Sequence, residues 1–259
     1  MKPQRLQPGR GWQWIKQGYA LFMKAPLLWI VLLTICMLAV AGLSAIPVIG
    51  EPLASLLLPV VLVGLMTGCQ ALSNGEELEL AHLFSGFQQR TSQLVTLGGV
   101  ALVGQYLVFG AMIAVGGATL VGIMMSGQSV ENPDILKQAI AGGGMAILLG
   151  LMLFSTLMMA MQFAPMLVFF NNTPPLQAMK LSLRAFVDNI GAMMVYSVAF
   201  MLLAILASIP MFLGWLLLLP IVFTSLYACY CDIFPVVKEE AQPATPNDVF
   251  TPDKDIFKP

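Results

Sequence analysis

The sequence predicts an all-α fold, a polytopic membrane bundle of six transmembrane helices with three amphipathic helices at its cytoplasmic surface. Hydrophobic residues make up 58% of the 259 residues and charged residues only 10%, whereas an ordinary soluble domain carries about 25% charged residues. The mean hydropathy is +0.86. The apolar residues also gather in uncharged runs, each long enough to supply the roughly 20 residues that a helix needs to cross a bilayer. A soluble globular fold is therefore excluded.

Residues 1–26 precede the first apolar run and are predicted to form a cytoplasmic interfacial helix. The predicted apolar face carries Trp12, Ile15, Tyr19 and Phe22. This helical spacing is typical of a helix that lies in the headgroup plane. Aromatic and basic side chains favour the boundary between bilayer and water. The expected interfacial anchors are Trp12, Trp14, Tyr19, Lys16 and Lys24.

Residues 27–231 are predicted to form the membrane domain. Prolines and glycines at the ends of apolar runs predict tight turns, around Pro47 in the first hairpin and around Pro210 in the last. The fourth run is longer than one straight span, and Pro165 is the expected break because an interior proline removes a helical hydrogen bond. The six predicted spans are 27–46, 53–72, 94–125, 139–170, 190–209 and 211–231.

Amphipathic segments also precede the third and fifth spans, so the order of surface helix and hairpin is predicted to occur three times. The apolar faces carry Leu80, Phe84 and Phe87 in the second segment, and Leu176, Met179, Leu183, Phe186 and Ile190 in the third. The motif Leu58-Pro59-Val60-Val61 in the first hairpin is similar to Leu219-Pro220-Ile221-Val222 in the third. Equivalent prolines predict equivalent kinks.

Three stretches of the chain resemble an uncharacterised family of six-pass proteobacterial inner-membrane proteins. They are Gly11-Trp12-Gln13-Trp14, the first hairpin, and Phe163-Ala164-Pro165 through Pro175-Leu176-Gln177-Ala178 to Asn189. The resemblance covers most of residues 10–235, and the chain is more distantly similar to the membrane domain of some glycerophosphodiester phosphodiesterases. It implies a bacterial inner-membrane location and six passes. It brings no catalytic residue, and phosphodiesterase activity is not implied because the chain lacks the soluble domain.

No Lys, Arg, Asp, Glu or His lies inside the six predicted spans. Ion-coupled transporters place ionisable groups there, and enzymes need titratable groups near the substrate. The favoured function is therefore a non-enzymatic interaction, scaffold or regulatory role in the envelope. The alternative is a passive transporter or channel for a small neutral or lipid-like molecule. Its polar pathway would use Gln105, Tyr106, Gln162, Tyr196 and Ser197, although hydrogen bonds between helices explain these residues more simply.

Small residues recur every four positions in the third and fourth predicted spans. The predicted packing ridges are Gly110, Ala114, Ala118, Gly122 and Ser126, and Gly142, Ala146 and Gly150. Such ridges let helix backbones approach closely, and packing within this hairpin is the favoured interpretation. The alternative is a self-association face that makes the protein a homo-oligomer.

Metal, cofactor and nucleic-acid binding are not predicted. His82 lies among acidic residues without a zinc motif, the four cysteines lack zinc-type spacing, and the cytoplasmic segments contain abundant acid. The expected partners are membrane lipids, a second copy of the chain, or a cytoplasmic protein bound by the tail. That tail, 232–259, is rich in proline and charge and is predicted to be disordered. Its Asp-x-Phe-x-Pro motifs begin at Asp248 and Asp255, and chance repetition is their favoured explanation.

The distribution of basic residues predicts that both termini are cytoplasmic. Of the twelve lysines and arginines, all except Lys137 fall in segments on the same side as the two ends. The positive-inside rule places that side in the cytoplasm. Fusions at residues 50 and 130 should therefore activate a periplasmic reporter, and a C-terminal fusion should activate a cytoplasmic one. A periplasmic signal from the C-terminal fusion would contradict the topology.

Overall fold

The computed structural model describes residues 3–117, 121–122, 125 and 133–235, and every regular element in them is helical. This confirms the all-α prediction. In chain order the elements are α1 (Arg10–Phe22), α2 (Pro26–Ser44), α3 (Gly50–Asn74), a 3₁₀ turn (Leu80–Phe84), α4 (Ser85–Gln88), α5 (Thr91–Met112) with a π-helical turn (Ile113–Gly117), α6 (Pro133–Gln162), α7 (Ala164–Phe170), α8 (Pro175–Asp188), α9 (Ile190–Ser208) and α10 (Trp215–Ile233).

Six stretches of the described residues are long and apolar enough to cross a membrane, which confirms the six predicted spans. They are α2, α3, Thr91–Gly116, Gly143–Phe170, α9 and α10. The fourth stretch is interrupted at Phe163, and Pro165 stands in the first turn of α7, where a missing N–H costs nothing. The break at this proline was predicted.

The first and third hairpins turn in the same way. Val48 in the first turn and Met211 and Phe212 in the third have positive φ. A Cβ on Gly50 would lie 2.1 Å from the Leu43 carbonyl oxygen, and a Cβ on Gly214 would lie 2.5 Å from Ala207 Cα. In both turns the contacted residue precedes the glycine by seven positions. The left-handed residues delay the start of α10, so the prediction that the sixth span begins at residue 211 is wrong by four residues.

Three surface segments, namely α1, residues 80–88 and α8, each pack against the second helix of a hairpin. Residues 80–88 pack on α3, and α8 packs on α6. In α8, the Ser182 hydroxyl donates to the Met159 carbonyl at 2.8 Å and accepts the Phe163 N–H at 3.0 Å. We call each surface segment together with the hairpin that follows it a unit. The second and third surface segments pack on the hairpin of the preceding unit, and α1 packs on α10 of the last unit, so the three units form a closed ring.

Small residues of the surface segments face the bundle, and several large apolar residues face outward. In α1, Gly11, Trp14, Ile15, Gly18 and Phe22 are buried. Trp12 and Tyr19 are 47% and 52% exposed. The predicted apolar face is therefore only partly buried, because contact through the two glycines centres the buried side of the helix on Gly11 and Gly18 and leaves Trp12 and Tyr19 at its edge.

The same arrangement occurs in the other two surface segments. Gly86 of the second segment is buried, whereas Leu80, Phe84 and Phe87 are exposed. In α8 the buried residues are Ala178, Ser182 and Ala185, and Leu176 at its start is exposed.

The ridge predicted for the third span does not pack within its hairpin. Gly110, Ala114 and Gly122 are exposed, and a Cβ on Gly110 or Gly122 would meet nothing within 4 Å. Ala118 and Ser126 lie outside the described residues. Gly104 makes the contact instead, because it lies about 120° around the helix from Gly110. A Cβ on Gly104 would lie 3.1 Å from Leu157 Cδ1.

On the facing helix α6, the predicted ridge does contribute to packing. Ala146 and Gly150 are buried, and a Cβ on Gly150 would collide with Met112. Gly142 lies in the same helix. The packing of this hairpin therefore combines the predicted ridge of α6 with an unpredicted face of α5.

Replacing Gly18 with alanine should destabilise the bundle. The added Cβ would lie 2.5 Å from the Ser225 backbone nitrogen, and overpacking of this kind costs about 1–3 kcal/mol. The matched control is Gly42→Ala in α2, which has open space around it and should keep or raise stability because alanine is the better helix former. Thermal unfolding of both variants in detergent measures the difference. Equal midpoints would contradict the close crossing.

Candidate functional site

A polar clasp joins the two ends of the described chain. We define it as Arg5, Arg10, Asp188, Asn189 and Asp232, which bring residues 3–9 and α1 against the ends of α8 and α10. The backbone takes part as well, since the Gln4 N–H donates to the Ile233 carbonyl at 2.9 Å. The clasp holds the first surface helix to the third unit.

Asp232 is the centre of the clasp. It accepts hydrogen bonds from Arg10 Nε at 2.8 Å, from Arg10 Nη2, and from Trp14 Nε1 at 2.8 Å. The Trp14 ring is completely buried, and a buried indole N–H requires an acceptor. The hydrogen bonds from Arg10 to the carboxylate raise the pKa of the guanidinium above its ordinary value.

Asn189 is buried between α8 and α9 and binds the N-terminal segment as a peptide group would. Its Oδ1 accepts the Leu6 N–H at 2.8 Å, and its Nδ2 donates to the carbonyls of Gln4 at 2.8 Å and Ala185 at 2.9 Å. Replacement of this side chain by an apolar one would remove both hydrogen bonds that hold residues 4–6 against the end of α8.

The outer part of the clasp is more exposed. Arg5 Nη2 lies 2.8 Å from Asp188 Oδ1, and Arg184 Nε lies 3.5 Å from Asp188 Oδ2. The Arg5 side chain is 78% exposed, and ion pairs of this kind contribute about 0–1 kcal/mol. The stabilising part of the clasp is therefore at Asp232 and Asn189.

Aromatic rings and hydroxyl groups extend the contact into the bundle. The Trp14 and Tyr196 rings meet edge to face with centroids 6.0 Å apart, and the Tyr196 hydroxyl lies 2.9 Å from Ser225 Oγ. Phe163 at the helix break meets Phe234 in the same way, also at 6.0 Å. The break in the fourth span and the end of α10 are thus joined by an edge-to-face pair of rings.

The interfacial anchors predicted around α1 have different surroundings. Trp14 cannot contact lipid because it is buried beside Asp232, so that prediction is wrong. Lys16 lies over the exposed Trp12 ring, 5.9 Å from its centroid. Lys24 Nζ donates to the Leu72 carbonyl at 2.6 Å, which also accepts the Gly75 N–H at 3.3 Å where α3 ends.

The structure does not bring the predicted pathway residues together. Gln105, Tyr106 and Ser197 are exposed on the outside of the described bundle, Gln162 is half-buried, and Tyr196 is buried. Since outward-facing side chains cannot line an internal route with a buried tyrosine, the predicted pathway is wrong. Tyr196 instead forms the hydrogen bond between helices noted above.

The predicted tail begins too early. Asp232 and Ile233 belong to α10, and residues 234–235 are also described. The remaining residues of that prediction, 236–259, which include both Asp-x-Phe-x-Pro motifs, lie outside the described residues. No group of three metal-ligating side chains occurs in the described ranges.

An apolar groove lies on the first hairpin. Its volume is about 230 Å³, and its walls are α2 from Ile35 to Leu43, α3 from Ala54 to Val61, and Leu83, Phe84 and Phe87 of the second surface segment. None of the predicted site residues lines it. The sequence signal for this groove was the apolar face of residues 80–88, which was assigned to the headgroup plane.

The chain is 32% identical to a probable inner membrane protein of Burkholderia thailandensis. The match extends over 260 residues and covers 92% of this chain and 95% of the relative. The chain belongs to the family of that inner-membrane protein. It is therefore an integral inner-membrane protein, in agreement with its six spans. No family model matches it, and no solved structure matches it significantly.

Asp232→Ala should destabilise this inner-membrane protein because it leaves Arg10 and the buried Trp14 N–H without their acceptor. Loss of a buried hydrogen-bonding partner costs about 1–3 kcal/mol. The matched control is Lys137→Ala, which removes an exposed pair with Asp134 at 3.7 Å and should change stability by less than about 0.5 kcal/mol. Thermal unfolding of the two variants provides the comparison, and an equal loss in both would contradict the role of Asp232.

Proposed function

We propose that the protein is a non-enzymatic interaction or scaffold protein of the bacterial inner membrane. The observation that carries this proposal is the position of α1. The clasp and the glycine face hold one side of the helix against the bundle, so the opposite side, with Trp12, Lys16 and Tyr19, is available to a partner. Tryptophan and tyrosine are enriched at binding surfaces.

The proposal includes cytoplasmic termini. The clasp supports it because the N-terminal segment, the end of α8 and the end of α10 meet at one end of the bundle, so that residues 3–9 and 232–235 lie close together. Arg5, Arg10 and Arg184 lie there, and the positive-inside rule assigns such an end to the cytoplasm.

The partners that we propose are lipids, a second copy of the chain, or a cytoplasmic protein. The exposed small residues Gly110 and Ala114 leave a face of α5 on which a second helix could pack closely. The tail at 236–259 is the proposed contact for a cytoplasmic protein. No nucleic-acid partner and no cofactor are proposed.

The second candidate function is passive movement of a lipid-like molecule. It is favoured over movement of a neutral polar solute because the groove on the first hairpin is lined by apolar residues. Hydrolysis is not part of either proposal, because the resemblance to membrane domains of glycerophosphodiester phosphodiesterases that the sequence suggests supplies no catalytic residue and is not shown by the relative described above.

Site-specific cross-linking in cells tests the interaction role. A photoreactive amino acid in place of Tyr19, on the outer face of α1, should give a discrete protein adduct on irradiation. The control position is Leu202 in the middle of α9, which is similarly exposed but lies within a span and should give lipid adducts only. If Tyr19 and Leu202 both yield only lipid adducts, the interaction role is rejected and the second candidate is favoured.

A further inference from the structure

We propose that the groove on the first hairpin is a binding site for one hydrocarbon chain of a membrane lipid. This inference does not depend on the interaction role of α1, because the groove lies on different elements. Its α2 and α3 walls, from Ile35 to Leu43 and from Ala54 to Val61, lie inside two membrane spans.

The chemistry of the walls selects a hydrocarbon occupant. All the side chains that line the groove are aliphatic, aromatic or the thiol of Cys36. A water molecule in such a place would find no hydrogen-bond partner, and apolar cavities stay dry. An empty groove would lose dispersion contacts on every wall. Acyl chains are the molecules that surround α2 and α3 at this depth.

The third wall makes the groove a built site, unlike the open faces of the bundle. A Cβ on Gly64 would lie 2.5 Å from the Leu83 carbonyl oxygen, and one on Gly86 would lie 2.4 Å from the Val60 carbonyl oxygen. These contacts seat the surface segment on α3. The rings of Phe84 and Phe87, 6.4 Å apart at a 47° angle, then close the groove on one side.

The size of the groove excludes bulkier occupants. A liquid water molecule takes up about 30 Å³, so about 230 Å³ accommodates a run of several methylene groups. A helix of a second copy is about 10 Å across with its side chains and does not fit. Residues 236–259 of this chain are rich in charge, and their burial among apolar walls would leave those charges unpaired.

The test uses the full chain in nanodiscs of phosphatidylethanolamine and phosphatidylglycerol with a trace of phosphatidylcholine that carries a diazirine in one acyl chain. After irradiation, mass spectrometry of the digest locates the labelled residues. Labelling of residues 83–87 should exceed, several-fold, the labelling around Leu202, whose face of α9 is open to lipid. Equal labelling at the two places would overturn the proposal.

Two variants separate the groove from general lipid contact. Ala39→Phe fills the groove from the α2 wall and should lower labelling of residues 83–87 several-fold, whereas Leu202→Phe, outside the groove, should leave it unchanged. Phe87→Ala opens the third wall without overpacking and should also lower the labelling of residues 83–87. This second variant keeps the test valid if Ala39→Phe fails to fold. Unchanged labelling in folded Ala39→Phe or in Phe87→Ala would falsify the site.

Discussion

At the crossing of α1 and α10, the Gly18 backbone lies directly on the backbone of Ser225, and the Thr224 hydroxyl donates to the Gly18 carbonyl at 2.9 Å. Lipid offers no hydrophobic driving force for helix association, so close van der Waals contact and hydrogen bonds between helices must supply the stability. The same solution recurs where Gly11 meets Ala192. The placement of α1, and with it the clasp, depends on these glycines.

Proline and close contact are linked in the first and third hairpins. The surface segment crosses α3 at Gly64, five residues after Pro59, and α1 crosses α10 at Ser225, five residues after Pro220. Pro59 has no N–H for the carbonyl four residues earlier. Gly98 of α5 packs against the carbonyls of residues 55 and 56 in α3. The neighbouring helix therefore packs at the place where Pro59 interrupts the helical hydrogen bonds of α3. The similar motifs around Pro59 and Pro220 therefore predict where the two surface segments cross α3 and α10.

The spans, the turns and the break at Pro165 could be predicted because hydropathy, helix length and the chemistry of proline are local properties. The clasp could not be predicted, because Arg10 and Asp232 are 222 positions apart and the sequence around one residue does not indicate that the other is its partner. Asp232 was assigned to the tail because a charged residue directly after an apolar run is an ordinary end of a span. The ridge predicted for α5 and the predicted pathway were incorrect for a related reason, because periodicity tells which residues share a helix face and does not tell what that face meets.

The cyclic order of the three units also determines the order in which the chain can mature in the bilayer. During synthesis α1 emerges first, yet its binding surface on α10 is the last part of the described bundle to leave the ribosome. Until then Gly18 and the Trp14 indole lack the partners that Ser225 and Asp232 supply. Docking of α1 on α10 can consequently occur only on chains whose last span has been synthesised.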